Sequence, residues 1–422
     1  METTTASAAA SGFNAANTST DRAWDKSYEW KAVTLLTLGF GLVGLDRWII
    51  APLFPSMMKD LHLNYQDLGN IIGALGLAWG IFAVVAGGLS DRVGRRRVLI
   101  PALVGFSLLS GLSGMTSGLA SLIVIRALMG MTEGSFCPTS FATTNDASKP
   151  SRRGFNLGLQ QSTFPLFGLA LGPIVATQLL GVTSWRWIFV LVAIPGLILA
   201  VLIARTIREP ASASSAREQR APLSELLKHR NVPLGMLALF CAMSGIFTIS
   251  AMIPNYLVDY LKLSTAQMGF VTSAIGFGGF AGQLALPGVS DIVGRKLIAV
   301  LGFIVGTLFL YAFMQTGPSP GTLFVLLFVA CFCCFGLLGL ITGPIAAEAA
   351  PRGLVSSTAG IIIGSGEIFG GGIAPSLAGA VAQHFGLQHT LTMALTGLSI
   401  GIVVCLFLRE TAPRKTPSAV AV

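Results

Sequence analysis

Twelve long apolar stretches dominate this chain and leave few folds open to it. They run approximately over 33–57, 69–90, 98–115, 118–141, 156–181, 187–204, 232–257, 266–288, 297–315, 321–346, 355–383 and 390–408. Each holds roughly 18 to 28 residues, enough to cross a hydrocarbon core of about 30 Å as a helix. Backbone groups in lipid must find partners inside their own segment, so such stretches are helical. A soluble domain is excluded by the composition: 53% of the residues are hydrophobic and only 11% are charged, where soluble chains carry about a quarter charged. The expected fold class is an all-α membrane protein of twelve transmembrane helices.

A net charge of +9 suggests nucleic acid until its distribution is read. With an even helix count both termini share one side. Of the 27 Lys and Arg, 22 then fall in the tails and in the loops on that side. The opposite loops keep only Lys59, Arg186 and Lys262, while Arg47 and Arg126 sit inside helices. This is a positive-inside asymmetry, with termini cytoplasmic. The charge reports topology, and nucleic acid is not an expected partner. Residues 1–30 lack the basic start and apolar core of a signal peptide, which fits a bacterial inner membrane. The six cysteines all lie in apolar segments, and the CxxC of Cys331 and Cys334 is read as packing. The four histidines have no metal-ligand spacing. No metal or cofactor is expected, and no nucleophile–base set or phosphate-cradling loop supports an enzyme.

The chain divides at a polar, basic linker, 205–231. This sets out a flexible tail (1–31), a six-helix bundle (32–204), the linker, a second six-helix bundle (232–408) and a tail (409–422). The halves echo each other. "GGLSDRVGRRR" at 87–97 is answered by "PGVSDIVGRK" at 287–296, and "LGP" at 171–173 by "IAP" at 373–375. Two pseudo-symmetric six-helix bundles of this kind form a parallel repeat, and in transporters of that plan the substrate site lies between the halves near the bilayer midplane. The 87–97 stretch resembles the signature loop of the major facilitator superfamily, Gly-x-Leu-x-Asp-Arg-x-Gly-Arg-Arg. The resemblance covers essentially the whole chain after residue 30. It implies a gating latch between the halves made by Gly88, Asp91, Arg92, Gly94, Arg95 and Arg96, with Asp291 and Arg295 in the second copy.

Charge inside a bilayer costs about 2.5–3.5 kcal/mol per residue on insertion scales, so charged residues there normally face a cavity or a partner. Five stand well inside helices: Asp46, Arg47, Arg126, Glu133 and Glu367. Arg126 and Glu133, seven residues apart, share one helix face, whereas adjacent Asp46 and Arg47 point about 100° apart. "RALMGMTEGSFCP" at 126–138, taken with Asp46 and Arg47, resembles the anion:cation symporter branch of the superfamily, whose members carry sugar acids, phthalates and other organic acids. That resemblance implies import of a small organic anion with protons by alternating access. Arg47 and Arg126 would meet the carboxylate; Asp46 and Glu133 would carry protons. Glu367, in "GSGEIFGGGIAP", departs from the branch and is a third proton-site candidate. Trp48, Gln160 and Gln161 are candidates for orienting substrate, and Asn255 and Tyr256 for an outer gate. A six-plus-six unit can act as a monomer, with the bilayer, the anion and protons as its partners. The competing reading is a proton-driven efflux antiporter, because "GLALGP" at 168–173 partly matches the helix-five motif of drug:proton antiporters.

Overall fold

The computed structural model describes residues 25–209, 223–349 and 355–412. Most of both tails, the centre of the linker and Arg352 lie outside these residues. Eleven helices are long and apolar enough to cross a membrane: α1 (Lys26–Leu61), α3 (Arg95–Ser113), α4 (Leu119–Ala147), α5 (Arg153–Leu180), α6 (Trp185–Thr206), α7 (Asn231–Tyr260), α8 (Thr265–Val293), α9 (Arg295–Met314), α10 (Pro320–Ala349), α11 (Thr358–Phe385) and α12 (Leu387–Leu406). The twelfth long helix is α2 (Tyr65–Val93). No strand occurs among the described residues.

Most helix ends fall outside the apolar stretches, and side-chain caps set three of the starts. Hydropathy starts the first helix at 33, but Asp25 accepts a hydrogen bond from the Tyr28 N–H and begins it at Lys26. Asn64 with Asp67, and Ser264 with Gln267, form capping boxes that start α2 and α8.

These caps reveal a deeper repeat than the signature loops alone. "HLNYQDLG" at 62–69 and "KLSTAQMG" at 262–269 occupy equivalent turns. His62 and Lys262 are the two non-glycine residues with positive φ among those described, at 52° and 57°. At the opposite end Gly94 and Gly294 break the chain between consecutive helices with φ of 101° and 120°, a backbone state that a side chain disfavours.

The halves meet through two equivalent crossings, α2 on α11 and α8 on α5. Backbones touch there. A Cβ on Gly76 would lie 2.2 Å from the Gly371 carbonyl oxygen, and one on Gly276 would lie 2.0 Å from the Ala170 nitrogen. The proline-bearing segments "LGP" and "IAP" lie at these crossings. One helix of each crossing also contains wide, π-type turns, over Leu166–Leu171 in α5 and Gly366–Ile373 in α11, a feature frequent at functional sites. The tight contacts gather toward the end of the bundle opposite the termini.

Candidate functional site

The interior charges converge where α1 breaks. Its helical run is interrupted at Ile49, three residues before Pro52, which offers no N–H to the Trp48 carbonyl. Arg126 exploits the break: its Nη1 donates to the carbonyl oxygens of Asp46 at 2.9 Å and Arg47 at 3.5 Å. The arginine from α4 is thus held by backbone, and the Asp46 carboxylate turns elsewhere, accepting from Ser110 Oγ on α3 at 2.7 Å. Arg47 points the other way, into the second half, where its Nη2 meets Glu367 Oε2 on α11 at 3.4 Å. The divergence expected of adjacent helical residues is realised, with one side chain directed into its own half and the other across the interface.

All five groups are buried, yet their hydrogen-bonding capacity is far from filled. Arg47 Nε, Arg126 Nε and Arg126 Nη2 find no acceptor, and neither Glu133 oxygen finds a donor, among the described residues. Glu133 lies within electrostatic reach of Arg47, Asp46, Arg126 and Glu367. Buried polar groups are normally satisfied. A cluster that combines unfilled guanidinium donors with a bare carboxyl is chemically equipped to accept an anion and to exchange a proton.

Aromatic rings wall the cluster. The Arg47 guanidinium lies 4.6 Å from the Phe247 centroid and 5.6 Å from Trp79, and Arg126 lies 5.6 Å from Phe189. Such rings favour a cation while excluding water. Trp48 is buried with its ring 5.3 Å from Phe247 on α7, and its indole N–H has no partner among the described residues. Gln160 is engaged inside the first half, donating to Ser140 Oγ at 3.1 Å and the Leu36 carbonyl at 3.4 Å; Gln161 is half-buried. Ser110, Trp79 and Phe247 escaped sequence reasoning because single neutral residues in apolar helices carry no pattern.

At the end opposite the termini, polar contacts tie the halves together. Tyr65 Oη donates to Asp259 at 3.0 Å, Asn255 Nδ2 to the same carboxylate at 3.1 Å, and Gln66 to the Ser376 carbonyl at 3.1 Å. Asn255 and Asp259 share α7, so that bond supports the inter-half contact from within the second half, and the Tyr256 ring stacks on Tyr260.

At the terminus-bearing end the signature loops bind within their own halves. Arg95 pairs with Asp146 at 2.9 Å, while Glu209 accepts from the backbone N–H of Arg95 at 2.5 Å and of Arg96 at 3.2 Å. Arg295 repeats the arrangement with Glu348 at 2.9 Å and Asp291 at 2.5 Å, and Glu410 accepts from the N–H of Arg295 and Lys296. Partial burial pushes the Glu410 carboxyl up, but N–H donors from Ala412, Arg295, Thr411 and Lys296 outweigh it and hold the group below the usual carboxylate range. The echo "IREP" at 207–210 with "LRET" at 408–411 was the available signal for Glu209 and Glu410. The surroundings of Gly88 and the side chains of Asp91 and Arg92 lie outside what the structure describes.

Two matched six-helix halves, crossing through glycines around a buried charge cluster, define a multi-pass membrane transporter. The sequence profile of the Major Facilitator Superfamily matches residues 36–362 and 235–421, and the chain belongs to that family; it is a transporter, not an enzyme. It is 34% identical over 262 residues to the hexuronate transporter of Bacillus subtilis (strain 168), covering 60% of this chain and 62% of that relative. It is 26% identical over 390 residues to a probable 4-methylmuconolactone transporter of Cupriavidus pinatubonensis, covering 88% and 89%. It is 23% identical over 396 residues to the D-galactonate transporter of Escherichia coli O6:H1, covering 86% and 91%. Among solved structures, a bacterial homologue of the human lysosomal transporter Spinster, inward-facing and occupied, shares the fold with a TM-score of 0.77 at 17% identity, over 93% of this chain and 98% of that one.

Proposed function

We propose that this transporter imports a small organic anion, a sugar acid or a related carboxylate, together with protons by alternating access. The observation that carries the reading is the set of unfilled guanidinium nitrogens on the buried Arg47 and Arg126. A carboxylate matches guanidinium geometry better than any cation would. The relatives named for hexuronate, galactonate and 4-methylmuconolactone support the same substrate class.

In this reading Arg126, steadied by the α1 carbonyls, and Arg47 hold the carboxylate. Trp48 and Gln161, with Gln160 behind them, shape the site. Asp46, Glu133 and Glu367 exchange protons. The anion competes with Glu367 for Arg47, and a proton on Glu367 frees that arginine, so each ligand favours the other. The contacts of Tyr65, Asn255 and Gln66 form the outer closure. The loops at Gly88–Arg96 and Asp291–Arg295 latch the inner end when the bundle reverses. The termini are placed in the cytoplasm of a bacterium, and one chain is the working unit.

Reconstitution in liposomes with an internal pH dye tests this. Adding hexuronates, aldonates or aromatic acids outside should acidify the lumen, and Arg126→Ala should abolish the signal. No acid-driven proton movement, with proton flux on adding cationic drugs instead, would replace the reading with efflux.

A further inference from the structure

A second charged site lies well away from the transport cluster, at the terminus-bearing end of the first half. The start of α1 and the end of α6 enclose a cavity of about 400 Å³. Lys31, Arg96, Arg205 and Arg208 line it, against Asp25 as the one carboxylate. Asp25 is already committed, to the Tyr28 N–H at 2.9 Å and to Arg208 at 3.0 Å. Arg96 spends one nitrogen on the Ala204 carbonyl. No described carboxylate ion-pairs with Lys31 or Arg205. The cavity exists because α1 and α6 pack closely lower down, with Leu199 against Gly39, and then lead separate basic side chains to a common mouth. Four cations with one neutralised carboxylate leave a strong preference for an anion with several oxygens.

What lies beneath the cavity identifies the kind of anion. Trp187, Leu191, Ile194, Ile198 and Val201 are all 45–62% exposed. Their spacing of three or four residues puts them on one face of α6, and Arg205 continues that same face. From Trp187 to Arg205 the stripe is about 27 Å long at 1.5 Å per residue, close to the thickness of a bilayer core. An indole at one end and a guanidinium at the other mark the two interfaces. A ligand in the cavity therefore stands at headgroup depth, with an apolar track running down from it.

We propose that this cavity binds the phosphate of an anionic phospholipid, with the acyl chains lying along the α6 stripe. Basic pockets between helices at the membrane surface recognise such headgroups through their charge. Free phosphate offers the same oxygens but makes no use of the stripe.

Native mass spectrometry of the full-length protein in detergent tests this, with phosphatidylglycerol, phosphatidylcholine and inorganic phosphate titrated separately. Phosphatidylglycerol should bind at one copy per chain, at least tenfold more tightly than phosphatidylcholine. The Lys31→Gln, Arg205→Gln double variant should lose that preference; both residues are exposed, and melting temperature checks that the variant is folded. Lys262→Gln, exposed at the opposite end, should bind as wild type does. Equal binding of the two lipids, an unaffected double variant, or equal losses in Lys262→Gln would overturn the site. Inorganic phosphate binding as tightly as phosphatidylglycerol would assign the cavity to a soluble anion and overturn the lipid.

Discussion

Replacing Glu367 by Gln separates the roles that a carboxylate facing Arg47 can play. At 3.4 Å and an effective dielectric near 20, two unit charges attract by about 5 kcal/mol before desolvation is counted. Desolvation cancels much of this, and removing one partner of a buried pair typically costs about 3–5 kcal/mol because the other charge is stranded. Here the stranded guanidinium retains Phe247 at 4.6 Å and Trp79 at 5.6 Å, each worth roughly 0.5–2 kcal/mol. The loss should fall toward the lower limit. If the anion must displace Glu367, the variant spares it that step. Even about 1.4 kcal/mol of relief tightens binding tenfold. The expected outcome is a less stable empty protein that binds its acid at least tenfold more tightly, with a larger ligand-induced rise in melting temperature. The sign for pH follows: protonating Glu367 mimics the substitution, so wild-type affinity rises as pH falls, and this component disappears in Glu367→Gln. Calorimetry on purified protein at several pH values, with the acids that drive lumen acidification, measures all four quantities. Weaker binding in the variant would show that Glu367 grips the substrate, and unchanged binding would make it a structural partner; either result refutes the competition.

Gly371→Ala should act on the same pair from outside, since a Cβ there would lie 2.7 Å from Glu367 Oε2 and 3.3 Å from Arg47 Nη2; tighter anion binding with reduced pH dependence is expected by the same calorimetry. Arg126→Lys keeps the charge but loses the forked donors, and uptake in liposomes should fall at least tenfold; wild-type uptake would reduce the requirement to charge alone. Gly276→Leu cannot fit against Ala170 and should part the halves at the closed end, lowering disulfide formation between cysteines placed at Gln66 and Ser376; undiminished cross-linking in a folded variant would locate the closure elsewhere. Glu410, held below the usual carboxylate value, contributes stability that is complete above that value and lost as pH falls through its lower folded one. Glu410→Gln should therefore flatten the acid limb of a plot of melting temperature against pH, and an identical limb in the variant would exclude that linkage.

The parts of this molecule that were legible in its sequence are those that physics encodes as patterns. Helix number follows from apolar length, and the repeat follows from glycines that the turns require. The identity of the interior charges was legible because lipid makes them conspicuous. Their partners were not. Nothing in the order of residues says that Arg126 grips main-chain carbonyls, because that depends on a helix break near Pro52 and on where α4 passes it. Nothing says that Glu367 reaches Arg47, 320 positions away, because that depends on the wide turn in α11 and on how the two halves are docked. Glu209 and Glu410 show the intermediate case: an echo of a few residues was present, but its meaning appeared only when both carboxylates were seen on equivalent backbone N–H groups.

This division of labour bears on mechanism. Contacts confined to one half, such as Arg126 on the α1 carbonyls, Asp46 on Ser110 and Arg95 on Asp146, can persist while the halves move as units. Contacts between halves cannot all persist, and those at the closed end are neutral or carry a single charge: Tyr65 with Asp259, and Gln66 with the Ser376 carbonyl. Between the halves, Arg47 with Glu367 is the ion pair observed among the described residues. In the proposed function it is the inter-half contact that both ligands would loosen, the anion through Arg47 and a proton through Glu367. A transporter must let its ligands alter the balance between its open forms, which requires an interaction that differs between them and that the ligands can reach. In the mechanism proposed above, the buried pair joining α1 to α11 is the interaction that would meet both conditions, and the coupling of cargo to movement is expected at Arg47.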